Sequence, residues 1–134
     1  MEDRLTFHAD YHKSGAIIFR LKGELDIYTL AKVREAIALA LESSARTLII
    51  DLSELYYIDS SAIGFFIKVD HEAKKKLRYF FIAAPSHEVK RMFKTIFLHR
   101  VLNVPDSIEE AITAAGLPFT QKNLNPPDVS NTLK

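Results

Sequence analysis

Strand-length apolar runs alternate along this chain with segments in which apolar residues recur at helical spacing. Residues 16–21, 47–52 and 79–83 are the clearest strand-type runs. The second run is apolar at almost every position, which is typical of a strand that is covered on both faces or lies mid-sheet. Strands that alternate with helices predict an α/β fold with a mostly parallel sheet and right-handed crossovers.

Helices are predicted where apolar residues repeat every three to four positions. They cover residues 28–43, a second stretch from near Ser60, a third that Ser86 can cap, and residues 108–115, closed by Gly116. The two clearest apolar faces are formed by Ala62, Phe65, Phe66, Val69 and Ala73 in the second helix and by Val89, Met92, Phe93 and Ile96 in the third.

Two further strands complete the predicted fold. Residues 5–9 alternate and form an edge strand, in a hairpin with the 16–21 strand, which Gly23 ends. Residues 101–104 form a short last strand. We therefore expect one domain over residues 1–117, with a mixed, mostly parallel sheet of four to five strands and about four helices. The polar residues 118–134 are expected to form a flexible C-terminal tail.

Composition narrows the possible functions. The chain has no cysteine, which excludes disulfides, thiolate metal sites and a cysteine nucleophile. Its 18 basic and 17 acidic residues form no basic stripe, so no nucleic-acid partner is expected. Without a signal peptide or a membrane-spanning run, we expect a cytoplasmic protein that does not insert into membranes. The dispersed histidines and the lack of a phosphate-binding glycine loop predict neither metal nor cofactor.

Topology predicts where a site would lie. The strand ending at Gly23 and the strand ending near Leu52 are joined by one helix, so they should be parallel and end on the same rim of the sheet. Binding sites in such sheets favour that rim. Asp26, Asp59 and Ser60 lie in the segments that leave the two strands, so we expect them to approach each other.

Ser60 lies where the second helix begins, and two interpretations apply to it. A side chain of the run 59–61 can cap the helix through its free backbone N–H groups. The same helix end tolerates an added anion, so phosphorylation there is compatible with the fold. Ile63 and Ile67 fall beside the core stripe, where they either widen it or form an apolar docking ridge next to Ser60.

Three motifs resemble those of the anti-sigma factor antagonist family, a branch of the STAS domains. Residues 21–26 match its L-x-G-E-L-D pattern, and residues 51–64 match D-L-S-x-V-x-x-I-D-S-S-G-L-G. Residues 86–93 are similar to its S-P-x-V-x-R-L-F helix start. The resemblance covers roughly residues 5–116 and implies a STAS-like single domain.

The resemblance implies a switch rather than an enzyme. An unphosphorylated antagonist binds an anti-sigma factor that is also a serine kinase, and this frees a sigma factor for transcription. The kinase then phosphorylates the serine that matches Ser60, and a PP2C-type serine phosphatase restores it. The expected phosphosite neighbours are Asp26, Asp59 and Ser61, and the expected partner contacts are Glu24, Tyr28, Ile63 and Ile67.

Departures from the family pattern occur at three glycine positions. Ala62 and Phe97 replace single glycines, and Lys76-Leu77-Arg78 replaces a Gly-Gly pair. Other STAS roles stay open, namely a stressosome-like scaffold or a subunit of a lipid-transport ABC complex. A Ser60 nucleophile is disfavoured because no G-x-S-x-G elbow surrounds it and no histidine is placed to activate it.

Overall fold

The computed structural model describes residues 3–116. Its elements are β1 (Leu5–Tyr11), β2 (Ile17–Leu25), α1 (Leu30–Glu42), β3 (Thr47–Ile58), α2 (Ser60–Lys75), β4 (Tyr79–Ala83), α3 (His87–Thr95), a 3-10 turn (Leu98–Arg100) and α4 (Ile108–Ala115). The predicted tail, residues 118–134, lies outside the described residues. No helix within residues 3–116 is long and apolar enough to cross a membrane.

The sheet is mixed, as the sequence predicts. Its strand order is β1-β2-β3-β4, with β1 antiparallel to β2 and the other neighbours parallel. The prediction of a fifth strand at residues 101–104 is wrong. The backbone there bonds locally, with the Leu102 N–H donating to the Leu98 carbonyl at 3.0 Å, and both leucines are buried in the core.

Two strands run further than predicted. β3 continues to Ile58, and β2 continues through Gly23 to Leu25. Gly23 has a φ of +117°, and a Cβ there would lie 2.1 Å from the Arg4 carbonyl oxygen. The glycine therefore does not end the strand but lets β1 lie close against it.

Within residues 3–116, three helices cover one face of the sheet, and a single short helix covers the other. Helices α1, α2 and α3 pack on the first face, where the predicted stripe residues Ala62, Phe66 and Val69 are buried. The second face is covered by α4, whose Ala111 packs against a small cluster with Ile18 and other residues of the sheet. Three residues of the predicted apolar faces differ, since Phe65 and Met92 are half-buried and Ile96 is exposed.

The predicted departures from glycine have a conformational consequence. Leu77 follows α2 and Phe97 follows α3, and both adopt the left-handed region, with φ of 58° and 56°. Glycine adopts this conformation without the steric cost of a Cβ. The chain thus keeps the backbone geometry of a glycine cap at both helix ends with side chains that strain it.

Candidate functional site

The ends of β2 and β3 lie side by side at one rim of the sheet. Leu25 is paired with Ile58 in parallel register, and the Asp59 N–H donates to the Leu25 carbonyl at 3.1 Å. The predicted common rim is therefore confirmed. The loop between β2 and α1 and the start of α2 leave the sheet at this point, so their side chains share one surface.

Asp59 joins these two segments through its carboxylate. Oδ1 accepts a hydrogen bond from the Ala62 N–H at 3.1 Å and caps α2. Oδ2 accepts a second from the Ile27 N–H at 3.1 Å, in the loop that follows β2. One side chain thus fixes both the helix start and the neighbouring loop. Both oxygens of this carboxylate therefore accept hydrogen bonds that stabilise the fold.

Asp26 is buried and folds back onto its own loop. Its Oδ1 accepts from the N–H groups of Tyr28 and Thr29, both at 2.9 Å, and its Oδ2 accepts from the Arg4 guanidinium. The Thr29 N–H, aided by Arg4 and by the Tyr28 N–H, lowers the pKa of this carboxyl below its ordinary value. Asp26 therefore anchors the β2–α1 loop as an ionised group.

Glu24 belongs to the same network. Its Oε1 accepts from Arg4 at 3.1 Å, and its Oε2 accepts from the Tyr56 hydroxyl at 2.8 Å. The bond to Glu24 raises the pKa of Tyr56, and the bonds to Asp26 and Glu24 raise the pKa of Arg4. The sequence did not predict the roles of Arg4 and Tyr56. Arg4 precedes β1 and Tyr56 lies in β3, so both are distant from Glu24 along the chain, and neither belongs to a recognisable motif.

Ser60 is exposed at the first position of α2, and Ser61 beside it is half-buried. The structure thus places Ser60 at the surface, one residue after the cap. Helix N-termini carry unpaired N–H donors and a partial positive charge, which favour an anion. Chemically, the position can present a neutral hydroxyl or hold a phosphate.

Exposed apolar side chains surround this rim. Tyr28 is 80% exposed and Ile67 is 39% exposed, whereas Ile63 is half-buried and packs partly against the core. Ile27 and Tyr57 are exposed as well and were not predicted. The sequence could have indicated them, since Ile27 follows β2 and Tyr57 lies at the end of β3, both at the shared rim. These side chains form a surface suited to a protein partner.

The acidic side chains at this rim are already bound to donors within the protein. No group of three or more potential metal ligands occurs within residues 3–116. The carboxylates of Asp26, Asp59 and Glu24 are engaged with backbone or side-chain donors.

Comparison with known proteins identifies the family. The STAS domain family model matches residues 9–111. This chain belongs to the STAS domain family. The resemblance predicted from the motifs is confirmed, and the mixed sheet with helices described above is the fold of this STAS domain.

Several relatives of this STAS domain carry functional names. The anti-sigma-B factor antagonist of Listeria monocytogenes is 28% identical over 104 residues, covering 78% of this chain and 84% of the relative. That of Staphylococcus aureus is 23% identical over 90 residues, covering 67% and 83%.

A solved relative is known in two states. The unphosphorylated anti-sigma factor antagonist SpoIIAA superposes on this STAS domain with a TM-score of 0.66 and 25% identity, covering 80% of this chain and 93% of the other. Phosphorylated SpoIIAA from Bacillus gives a TM-score of 0.61 at 25% identity, covering 81% and 97%.

Proposed function

We propose that this STAS domain is an anti-sigma factor antagonist and that phosphorylation of Ser60 controls its binding to the anti-sigma factor. The observation that carries the proposal is the exposure of Ser60 at the start of α2, next to exposed apolar side chains. The names of the relatives support the role, and SpoIIAA exists in unphosphorylated and phosphorylated forms.

The switch is electrostatic in this proposal. A phosphate on Ser60 adds a charge close to −2 at neutral pH. The N-terminus of α2 accommodates that charge, so the fold stays intact. A partner that packs against Tyr28 and Ile67 would have to desolvate the phosphate beside apolar groups. Such an uncompensated charge costs several kcal/mol in an interface, so phosphorylation releases the partner.

The partner surface is centred on Ser60. Tyr28 and Ile67 supply exposed apolar area, and Ile63 adds its outer half. Glu24 and Asp26 contribute indirectly, because their bonds to Arg4 and to the loop fix where Tyr28 lies. The neighbouring Ser61 is less accessible than Ser60, so the proposal assigns the phosphate to Ser60.

The reaction cycle needs two partner proteins. The anti-sigma factor is of the serine-kinase type, and it phosphorylates Ser60. A PP2C-type phosphatase returns the serine to its neutral form. Capture of the anti-sigma factor by this STAS domain frees the sigma factor for transcription, which assigns the protein to the cytoplasm.

Calorimetric titration of the cognate kinase-type anti-sigma factor tests the proposal. Ser60→Asp should weaken binding by about 2 kcal/mol or more, because it places a charge in the interface. Ser60→Ala should bind as the unmodified protein does and accept no phosphate in the kinase assay.

Ser61→Ala is the matched control. It removes the hydroxyl of the neighbouring serine, which is half-buried. It should leave both the affinity and the phosphate stoichiometry unchanged. Equal affinity of Ser60→Asp and the unmodified protein, or phosphate that remains on Ser60→Ala, would contradict the switch.

A further inference from the structure

A second exposed apolar cluster lies at the turn that follows α3. Ile96, Phe97 and Val101 are 50%, 53% and 57% exposed within six consecutive residues. Fully exposed apolar side chains are common singly, but a cluster of them at one turn marks an interaction surface. We call this cluster the Phe97 turn.

The Phe97 turn is also strained. Phe97 has a φ of 56°, in the left-handed region that glycine adopts without steric cost. Its ring remains half exposed, so burial in this protein does not compensate the strain. Stability alone would favour glycine at such an exposed position, as it would at Leu77. The strain at Phe97 therefore supports a functional role only together with the cluster of exposed apolar side chains around it.

Cations surround the turn. Residues 87–101 contain Lys90, Arg91, Lys94 and Arg100 with Glu88 as the acidic residue, which gives a formal charge of +3. The whole chain has a formal charge of +1, so the remaining residues together carry −2. Lys90 is paired with Asp106 at 3.0 Å. The Phe97 turn thus carries a local excess of positive charge, as does the segment 74–78 at the end of α2.

One cation lies directly over the aromatic ring. The Arg100 guanidinium is 4.7 Å from the centre of the Phe97 ring. An apolar ring with a guanidinium above it matches the boundary between acyl chains and phosphate headgroups, where each group finds its preferred surroundings.

We propose that the Phe97 turn binds the surface of an anionic lipid bilayer, with Phe97 and Ile96 in the acyl boundary and the surrounding cations on lipid phosphates. A lipid surface requires no matching shape, which suits side chains that stand out from the protein. Protein interfaces, by contrast, are depleted of lysine, and Lys94 lies next to the apolar residues. Binding is peripheral and reversible, because the apolar area is small.

Sedimentation with lipid vesicles tests this inference. The full chain should pellet with vesicles of phosphatidylglycerol and phosphatidylcholine in equal parts, and not with pure phosphatidylcholine. Added salt should weaken the binding, since it screens the cations. Phe97→Gly should lower the partition coefficient at least about fivefold, because the ring is lost. The thermal midpoint of this variant should hold or rise because glycine relieves the strain, so unfolding does not explain a loss of binding.

Two control variants make the test specific. Leu39→Ala removes another exposed apolar side chain, on α1, and should bind as the unmodified protein does. Lys94→Glu with Arg100→Glu should abolish binding, whereas Lys74→Glu with Lys75→Glu changes the net charge equally and should retain it.

Three outcomes would overturn the inference. The first is failure of the unmodified chain to bind anionic vesicles. The second is an equal loss of binding in the two charge-reversed pairs, since that would show adsorption by net charge alone. The third is unchanged vesicle binding in Phe97→Gly with weakened binding of the anti-sigma factor, which would assign the turn to a protein interface. The first two outcomes do not bear on the Ser60 switch, and the third would extend the surface that binds the anti-sigma factor without removing Ser60 from it.

Discussion

The backbone N–H of Ile27 donates a hydrogen bond of 3.1 Å to Oδ2 of Asp59, which lies 32 residues further along the chain. Because the other carboxylate oxygen caps α2, this bond couples the loop after β2 to the helix that begins with Ser60. The surface on which a partner would dock is therefore held together by one side chain, and its rigidity can be tested by mutation.

Asp59→Ala should destabilise the protein by about 1–2 kcal/mol, because it removes the cap of α2 and the bond to Ile27. Asp59→Ser should cost less, since a serine oxygen can cap the helix but cannot also reach Ile27. Urea unfolding measures both values. Amide exchange at Ile27 should speed up in both variants, and protection of this amide in Asp59→Ser would show that the loop does not depend on the carboxylate. Ser107→Ala, which removes the cap of α4, should not affect the Ile27 amide.

Asp26 should make stability depend on pH below about 4. Its pKa is lowered in the folded state, so its ionised form stabilises the fold above the unfolded pKa of about 3.9. That contribution is lost as the pH falls through the lower, folded-state pKa. As the pH is lowered below about 4, the free energy of unfolding of Asp26→Asn should therefore fall less steeply than that of the unmodified protein. Urea unfolding at a series of pH values measures the slopes, and parallel curves would contradict the role of Asp26.

Gly23 and Gly64 should respond oppositely to alanine. Gly23→Ala should destabilise by more than about 2 kcal/mol, because the new Cβ meets the Arg4 carbonyl at a backbone φ of +117°. Gly64 lies within α2 with nothing within 4 Å of an added Cβ, so Gly64→Ala should stabilise by about 0.5–1 kcal/mol. Chemical unfolding of the pair checks both signs. Equal effects would mean that β1 does not approach Gly23 as described.

Leu77→Gly should stabilise the protein by up to about 1 kcal/mol. Leu77 has a φ of 58° and is 66% exposed, so glycine relieves strain with little loss of buried area. Leu39 is 64% exposed but lies inside α1, where Leu39→Gly should destabilise by about 1 kcal/mol. Thermal unfolding compares the two, and a loss of stability in Leu77→Gly would show that its side chain packs usefully.

Variants at Ile63 and Ile67 should distinguish an effect on partner binding from an effect on stability. Ile67→Glu should weaken binding of the anti-sigma factor while leaving the stability within about 0.5 kcal/mol, because the side chain is exposed. Ile63→Glu should lower both affinity and stability, since half of this side chain packs against the core. Titration and urea unfolding of each variant provide the two measurements. Unchanged affinity in both would exclude the ridge from the interface.

The sequence by itself determined the order of strands and helices and the rim on which the site lies. Those features depend on local periodicity and on one rule, that strands joined by a single helix run parallel. The same reasoning placed Asp26, Asp59 and Ser60 at one edge, and the register of Leu25 with Ile58 agrees. The prediction of a short strand at residues 101–104 failed, because a short run of this kind does not distinguish a strand from a buried turn.

Only the tertiary structure decided what each side chain does. Asp26 turns onto Thr29 and Arg4, Glu24 binds Arg4 and Tyr56, and Ile63 lies half in the core. The bond of Asp26 to Thr29 is local, but the contacts of Arg4 with Asp26 and Glu24, and of Glu24 with Tyr56, join residues 20 or more positions apart. A periodicity of two or 3.6 residues carries no information on such distant contacts, because they exist only once the sheet has brought the strands together.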